Sequence, residues 1–235
     1  MGSVDESLGG YSVGHLHHNC SFRAFILGVQ HAFEPDHVVA ISTIATRNRS
    51  VLRSLVTGSL WGLGHTLTLL MVGMLLILLR VQFPASIAAS FELGVGFMLI
   101  VLGIWAVVSV REEKFRLHAE THNGRSHAHI HSRSEAASPE HARVPFSVGM
   151  VQGLAGSGAL IILVMSSMTG VVQGLFFIAS FGVGLMFAMS LIAYTLGLPT
   201  AFGGRSSALI GLLFSAGAGF LSIALGVFIV LSYFF

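Results

Sequence analysis

Gly28-Val29-Gln30-His31-Ala32-Phe33-Glu34-Pro35-Asp36-His37 sets two imidazoles, two carboxylates and a proline within an apolar run that Phe25-Ile26-Leu27 leads into and Val38-Val39-Ala40-Ile41 leads out of. An ionisable side chain at the centre of a lipid-spanning helix costs about 2.5–3.5 kcal/mol on insertion scales, so such residues are functional candidates by default. Imidazole together with carboxylate suits nickel, cobalt, zinc or iron, whereas calcium and magnesium prefer shells made of oxygen. The spacing adds a geometric condition. On a straight helix His31 and His37 lie about 120° apart and cannot face one pocket. Pro35 has no N–H to give to the His31 carbonyl, so the segment is expected to bend or unwind there. Both rings would then turn inward, and the carbonyl would be left as a further ligand or water anchor. Asp36 can either ligate an ion or orient an imidazole from behind. A lone buried histidine would more simply be bonded to a neighbour and bind nothing, but four such groups beside a proline point to an ion.

The rest of the chain puts this segment in a membrane. Of 235 residues, 54% are hydrophobic and only 9% charged, with a mean hydropathy of +0.82, which leaves too few polar side chains to cover a soluble globule. Six stretches are long enough to cross a hydrocarbon core of about 30 Å: 22–45, 55–79, 87–110, 147–168, 172–197 and 207–233. The expected fold is therefore an all-α polytopic membrane protein with six transmembrane helices. Arg47, Arg49 and Arg53 follow the first helix, six Lys and Arg lie between the third and fourth, and Arg205 precedes the sixth, against Arg23 and Arg80 on the other side. This asymmetry places the loops after helices one, three and five in the cytoplasm and both termini outside, with the plasma (inner) membrane as the expected location. It also accounts for a basic chain without a nucleic-acid patch, and no nucleic-acid partner is expected. The first twenty residues have no basic region followed by a short apolar one, so no cleaved signal is expected.

The two halves resemble each other. Gly94, Gly96, Phe97, Leu102 and Gly103 answer Gly217, Gly219, Phe220, Leu225 and Gly226 at an offset of 123. One helix earlier, LWGLGHT (60–66) is laid over FGVGLMF (181–187), and FILGVQHAFEPDH (25–37) over FSVGMVQGLAGSG (146–158), both at an offset of 121. A unit of three helices, an odd number, enters the second time from the opposite face, so the expectation is two inverted three-helix repeats, a recurring transporter plan with the site near the midplane. The divisions expected are an extracytoplasmic segment 1–21, a first repeat 22–110, a flexible His-rich cytoplasmic loop 111–145 and a second repeat 146–235.

Other residues extend the site. His65 is the only ionisable residue of the second helix and is read as a third ligand or a proton carrier. Gln152 and Ser157, in the segment matching the histidine motif, have lost every charge and are read as a neutral wall of the pathway, with Glu34 a further pathway residue; close packing through Gly149 and Gly153 accounts equally well for the glycines. His15, His17 and His18 are candidates for capturing an ion outside. His118, His122, His127, His129, His131 and His141 lie in the long loop, a composition suited to weak, multiple metal binding, as in buffering or delivery.

GVQHAFEPDH, LWGLGHTLTLL and VGMVQGLAGSGAL together resemble the UreH-like branch of the nickel/cobalt transporter superfamily, whose signature is H-x4-D-H in a membrane helix. His31, Asp36 and His37 match that signature, and His65 matches a histidine typical of the next helix. The resemblance spans essentially 22–233. It implies a six-helix permease that moves Ni²⁺ or Co²⁺ as its transported substrate through a metal site of His31, Asp36, His37 and His65. Gln152 stands where many relatives carry histidine. Implied partners are the lipid bilayer, the divalent ion, and a metallochaperone or urease maturation system. Uptake is the expected direction and efflux the alternative, since some relatives with His-rich loops export. No enzymatic activity and no prosthetic group are expected. A membrane thiol-redox carrier would need paired cysteines, and Cys20 is the single one; a metal-dependent hydrolase would need a general base standing behind the metal ligands and a substrate cleft near one surface.

Overall fold

Pro35 decides how the first apolar run folds. A proline forces the residue before it into an extended conformation, and Glu34 adopts φ −60° and ψ 140°. The helix that starts at residue 20 therefore ends at residue 31, and a second begins on Pro35 itself, at the one helical turn where a missing N–H costs nothing. The expected single helix over 22–45 is thus two, α1 (20–31) and α2 (Pro35–Ala45), joined by a turn at 32–34. The His31 carbonyl was expected to be left open by the proline. It instead accepts the Glu34 N–H at 3.0 Å, because the chain has already left the helix and folds back in a tighter turn.

The computed structural model describes residues 20–46, 48, 50–79, 85–119, 142–155, 170–201 and 205–235, with backbone alone at 77 and 85 and over 111–119, 199–201 and 205–210. All regular structure among these residues is helical. After α2 come α3 (Val51–Leu79), α4 (Ala85–Ala119), α5 (142–155), α6 (Val171–Ala201) and α7 (Arg205–Phe234). Four of these have apolar stretches long enough to cross a membrane: Val51–Leu76, Ser86–Val110, Val171–Leu198 and Gly211–Phe234. Large apolar side chains such as Phe97, Val101, Phe176, Phe187, Phe220 and Phe228 face outward from them, as lipid contact requires. The chain is an all-α integral membrane protein. Helix α4 runs nine residues beyond position 110, through Ala119, where a flexible loop was expected. Arg111, Glu112, Glu113, Lys114 and Arg116 are strong helix formers that carry the helix on past its apolar part.

The core is built around α2. Its apolar residues Val39, Ala40, Ile41, Ile44 and Ala45 are buried, and α3, α4, α6 and α7 enclose it. Helix α3 packs along α6, and α4 along α7. Small residues set the approaches of α1 to α6, of α5 to α3 and of α4 to α7. A Cβ at Gly28 would run into the Phe181 carbonyl and one at Gly149 into the Trp61 carbonyl; at Gly64 it would meet the Phe146 carbonyl and at Gly184 the Phe25 carbonyl. Gly96 and Gly226 each face the other's carbonyl, as do Gly103 and Gly219. At the centre of that seam the Ser222 hydroxyl donates to the Leu99 carbonyl at 2.7 Å. Each approach thus has a counterpart in the other half. The counterparts lie 121 positions apart for α1 and α5, 123 for α4 and α7, and 120 for α3 and α6. The last value corrects the offset of 121 expected for LWGLGHT. At 120, Gly62 and Gly64 fall on Gly182 and Gly184; a Cβ would meet backbone at Gly62, Gly64 and Gly184 and the Thr66 side chain at Gly182.

Candidate metal site

The turn at 32–34 brings His31, the last residue of α1, and His37, in the first turn of α2, to the same place. Their Nε2 atoms lie 3.1 Å apart. An imidazole nitrogen sits about 2 Å from its metal, so two ligands of one tetrahedral ion are separated by about 3.3 Å. The pair is already at ligand spacing. His65, from the middle of α3, completes a triangle with ring centroids 4.6, 5.3 and 5.2 Å apart. One nitrogen from each ring falls within 4.8 Å of the others. His65 is fully buried, and neither of its ring nitrogens has a hydrogen-bond partner among the described residues. A buried polar atom left without a partner costs about 1–3 kcal/mol, so the ring sits ready to receive an electron-pair acceptor.

Carboxylates stand behind two of the three rings. Asp36 Oδ2 accepts from His37 Nδ1 at 2.8 Å, and Glu34 Oε1 accepts from His31 Nδ1 at 2.7 Å. This carboxylate–imidazole arrangement is the one that fixes the tautomer of metal-binding histidines. The two carboxylates differ in setting: the Glu34 side chain is 51% exposed and that of Asp36 25%. Glu34, Asp36 and His37 also form a second group with ligand atoms in reach of one another. The ring walls are aromatic. Trp61 lies 4.9 Å from His37 and 5.1 Å from His65, and Phe181 lies 5.3 Å from His31.

Gln152, expected as a neutral oxygen of a pathway wall, has a different place. It is buried in α5, where its Oε1 accepts from the Trp61 indole at 2.9 Å and its Nε2 donates to Asp36 Oδ2 at 3.1 Å. Its oxygen is therefore already engaged by the indole. Trp61 was not singled out from the sequence, although a signal was present: it lies four residues before His65 and so shares its helix face. Ser157, His15, His17 and His18 lie outside the described residues, as do the side chains of the loop histidines.

The chain is 35% identical over 185 residues to the urease accessory protein UreH of Bacillus sp. (strain TB-90), covering 77% of each chain. It is 27% identical over 178 residues to a putative nickel/cobalt efflux system of Methanocaldococcus jannaschii, covering 74% of this chain and 73% of that one. A chloroplast protein, FOR GROWTH AND FERTILITY 2 of Arabidopsis thaliana, is 23% identical over 171 residues, of whose length the match spans 44%. No family profile matches the chain. No solved structure matches it. At this identity and coverage, and with H-x4-D-H set around a helix break, the chain belongs to the UreH-like branch of the nickel/cobalt transporter superfamily.

Proposed function

We propose that this protein is a permease that moves Ni²⁺ or Co²⁺ across the bilayer as its substrate, taking the ion between His31, His37 and His65. The observation that carries the reading is the convergence of three imidazoles from three helices, one of them buried with neither nitrogen bonded among the described residues. Nitrogen ligands select for nickel or cobalt over the far more abundant magnesium and calcium. Asp36 and Glu34 hold the rings from behind, and Glu34, on the exposed side, is where an ion first meets charge.

Six crossings in two inverted repeats fit this role. Helices α1 and α2 are each about 17–18 Å long at 1.5 Å per residue, too short alone for a core of about 30 Å, and together they make one crossing. The segment that opens with α5 makes the fourth. The paired approaches of Gly28 with Gly149, Gly64 with Gly184, and Gly96 with Gly219 support the repeat, as does the match of His31 on Phe181 to Gln152 on Trp61. Rocking one repeat against the other about a midplane site would expose the ion to each side in turn. The divisions are then 22–110 and 146–235, with the His-rich stretch between them on the cytoplasmic face and both termini outside, in the plasma membrane.

The name of the urease accessory relative favours uptake, the supply of nickel to an intracellular enzyme and its maturation partners. The name of the archaeal relative favours efflux as the second reading. Proteoliposomes loaded with this protein should take up radioactive nickel or cobalt, and His31→Ala and Asp36→Asn should not. Equal flux through all three would overturn the proposal. Cells expressing the protein should accumulate nickel if it imports and be depleted of it if it exports.

A further inference from the structure

Trp61 and Gln152 lie in different halves of the sequence, yet with Asp36 they form an unbroken chain of hydrogen bonds that ends on a ring of the proposed metal site. Indole Nε1 donates to the Gln152 oxygen at 2.9 Å, Gln152 Nε2 donates to Asp36 Oδ2 at 3.1 Å, and the same oxygen accepts from His37 Nδ1 at 2.8 Å. Both Trp61 and Gln152 are buried, at 0% and 1% exposure, so water does not compete for the bond between them.

The chain has a direction, and chemistry fixes it at both ends, since a carboxylate can only accept. An indole N–H can only donate. The amide of Gln152 can face it only with oxygen, which obliges the NH2 group to face Asp36. The Asp36 oxygen then has two donors on it and is held as an acceptor, and the proton it takes from His37 must be the one on Nδ1. What remains on His37 is the Nε2 lone pair, aimed at His31 Nε2 and into the triangle with His65. We propose that Trp61 and Gln152 are positioning residues that hold the Asp36 carboxylate on His37 Nδ1, so that His37 presents Nε2 as a ready electron-pair donor to the ion. The inference deepens the proposed function and rests on it.

The geometry elsewhere shows why the two residues are specific to this half. By the spacing of the paired contacts, Phe181 is the counterpart of Trp61 and His31 the counterpart of Gln152. Phe181 lies 5.3 Å from His31 and has no N–H to give. His31 instead takes its orientation from Glu34, a neighbour in sequence. One ligand is thus set locally and the other from across the fold.

A double-mutant cycle on the full chain in detergent, with Co²⁺ as probe, tests this. Trp61→Phe keeps the ring and deletes the donor; Gln152→Met keeps the length and deletes both bonds. Each should weaken Co²⁺ binding by about 10–100-fold, the usual effect of losing a partner behind a metal-bound histidine, and should shift the visible Co²⁺ absorption. Because Trp61 acts through Gln152, the double variant should bind no more weakly than Gln152→Met alone. On the metal-free protein, selective ¹⁵N-histidine NMR should show His37 protonated at Nδ1 in the wild type and a mixture of tautomers in Trp61→Phe. Additive losses, an unchanged Co²⁺ spectrum, or an unchanged tautomer would overturn the positioning role while leaving the metal site standing. A wild-type chain that binds no Co²⁺ would overturn the site and this inference together. Should Gln152→Met fail to fold, the tautomer of Trp61→Phe decides alone.

Discussion

His65 is an expensive residue unless something binds it. It is fully buried, with neither nitrogen bonded among the described residues, whereas Leu185, its counterpart in α6 by the 120-residue spacing, is equally buried and apolar. Replacing an unsatisfied polar group by an apolar one of similar size recovers about 1–3 kcal/mol. His65→Leu should therefore raise the melting temperature of the metal-free protein while weakening Ni²⁺ binding at least tenfold, a pair of opposite changes that calorimetric melting and titration would read. A fall in both would mean that the ring serves packing alone. The two carboxylates should separate as well. Asp36 carries two hydrogen bonds in a partly buried setting, so Asp36→Asn should cost about 10–100-fold in nickel affinity. Glu34 is exposed and holds its ring by a single bond, so Glu34→Gln should cost clearly less in the same titration.

At the scale of elements, the break between α1 and α2 and the glycine seams do separate jobs. Pro35 stands at a helix start where its missing N–H is harmless, so Pro35→Ala should leave stability within about 1 kcal/mol. It frees the chain to run through as one helix, and on such a helix His31 and His37 point about 120° apart. Nickel affinity should fall roughly tenfold, equal to about 1.4 kcal/mol, with helix content by circular dichroism unchanged or higher. The glycines predict a contrast. A methyl at Gly149 meets the Trp61 backbone, while one at Gly94 meets nothing within 4 Å. Gly149→Ala should destabilise by about 1–3 kcal/mol, and Gly94→Ala should be neutral or stabilise by up to about 1 kcal/mol. Equal effects in a thermal melt would remove the case for close backbone packing at α5. The break was legible in the sequence because proline acts on its immediate neighbours. The α3–α6 register is also carried by the sequence, since an offset of 120 aligns Gly62 and Gly64 with Gly182 and Gly184 while 121 aligns no identical residue of LWGLGHT; the reciprocal contacts of Gly62 on Met186 and Gly182 on Thr66 single it out.

For the whole molecule, the testable claim is orientation. Ser50 lies between α2 and α3, next to the arginines of the first loop, and Phe235 ends the chain after α7. In a Cys20→Ala background, an impermeant maleimide should label Phe235→Cys on intact cells and Ser50→Cys only after permeabilisation; the reverse pattern would invert the proposed topology. The sequence by itself determined that the chain is helical and lies in a membrane, because hydropathy acts along a single segment. It also determined that His31, Asp36 and His37 sit at a break, because proline and its neighbours are adjacent. Only the tertiary structure decided what each of these groups faces. The Asp36 carboxylate is held through bonds between residues 91 and 116 positions apart, and neither the burial that leaves His65 without a partner among the described residues nor the indole and amide that hold Asp36 on His37 is a property of any local stretch. Which groups hold the Asp36 carboxylate depends on how the two halves pack.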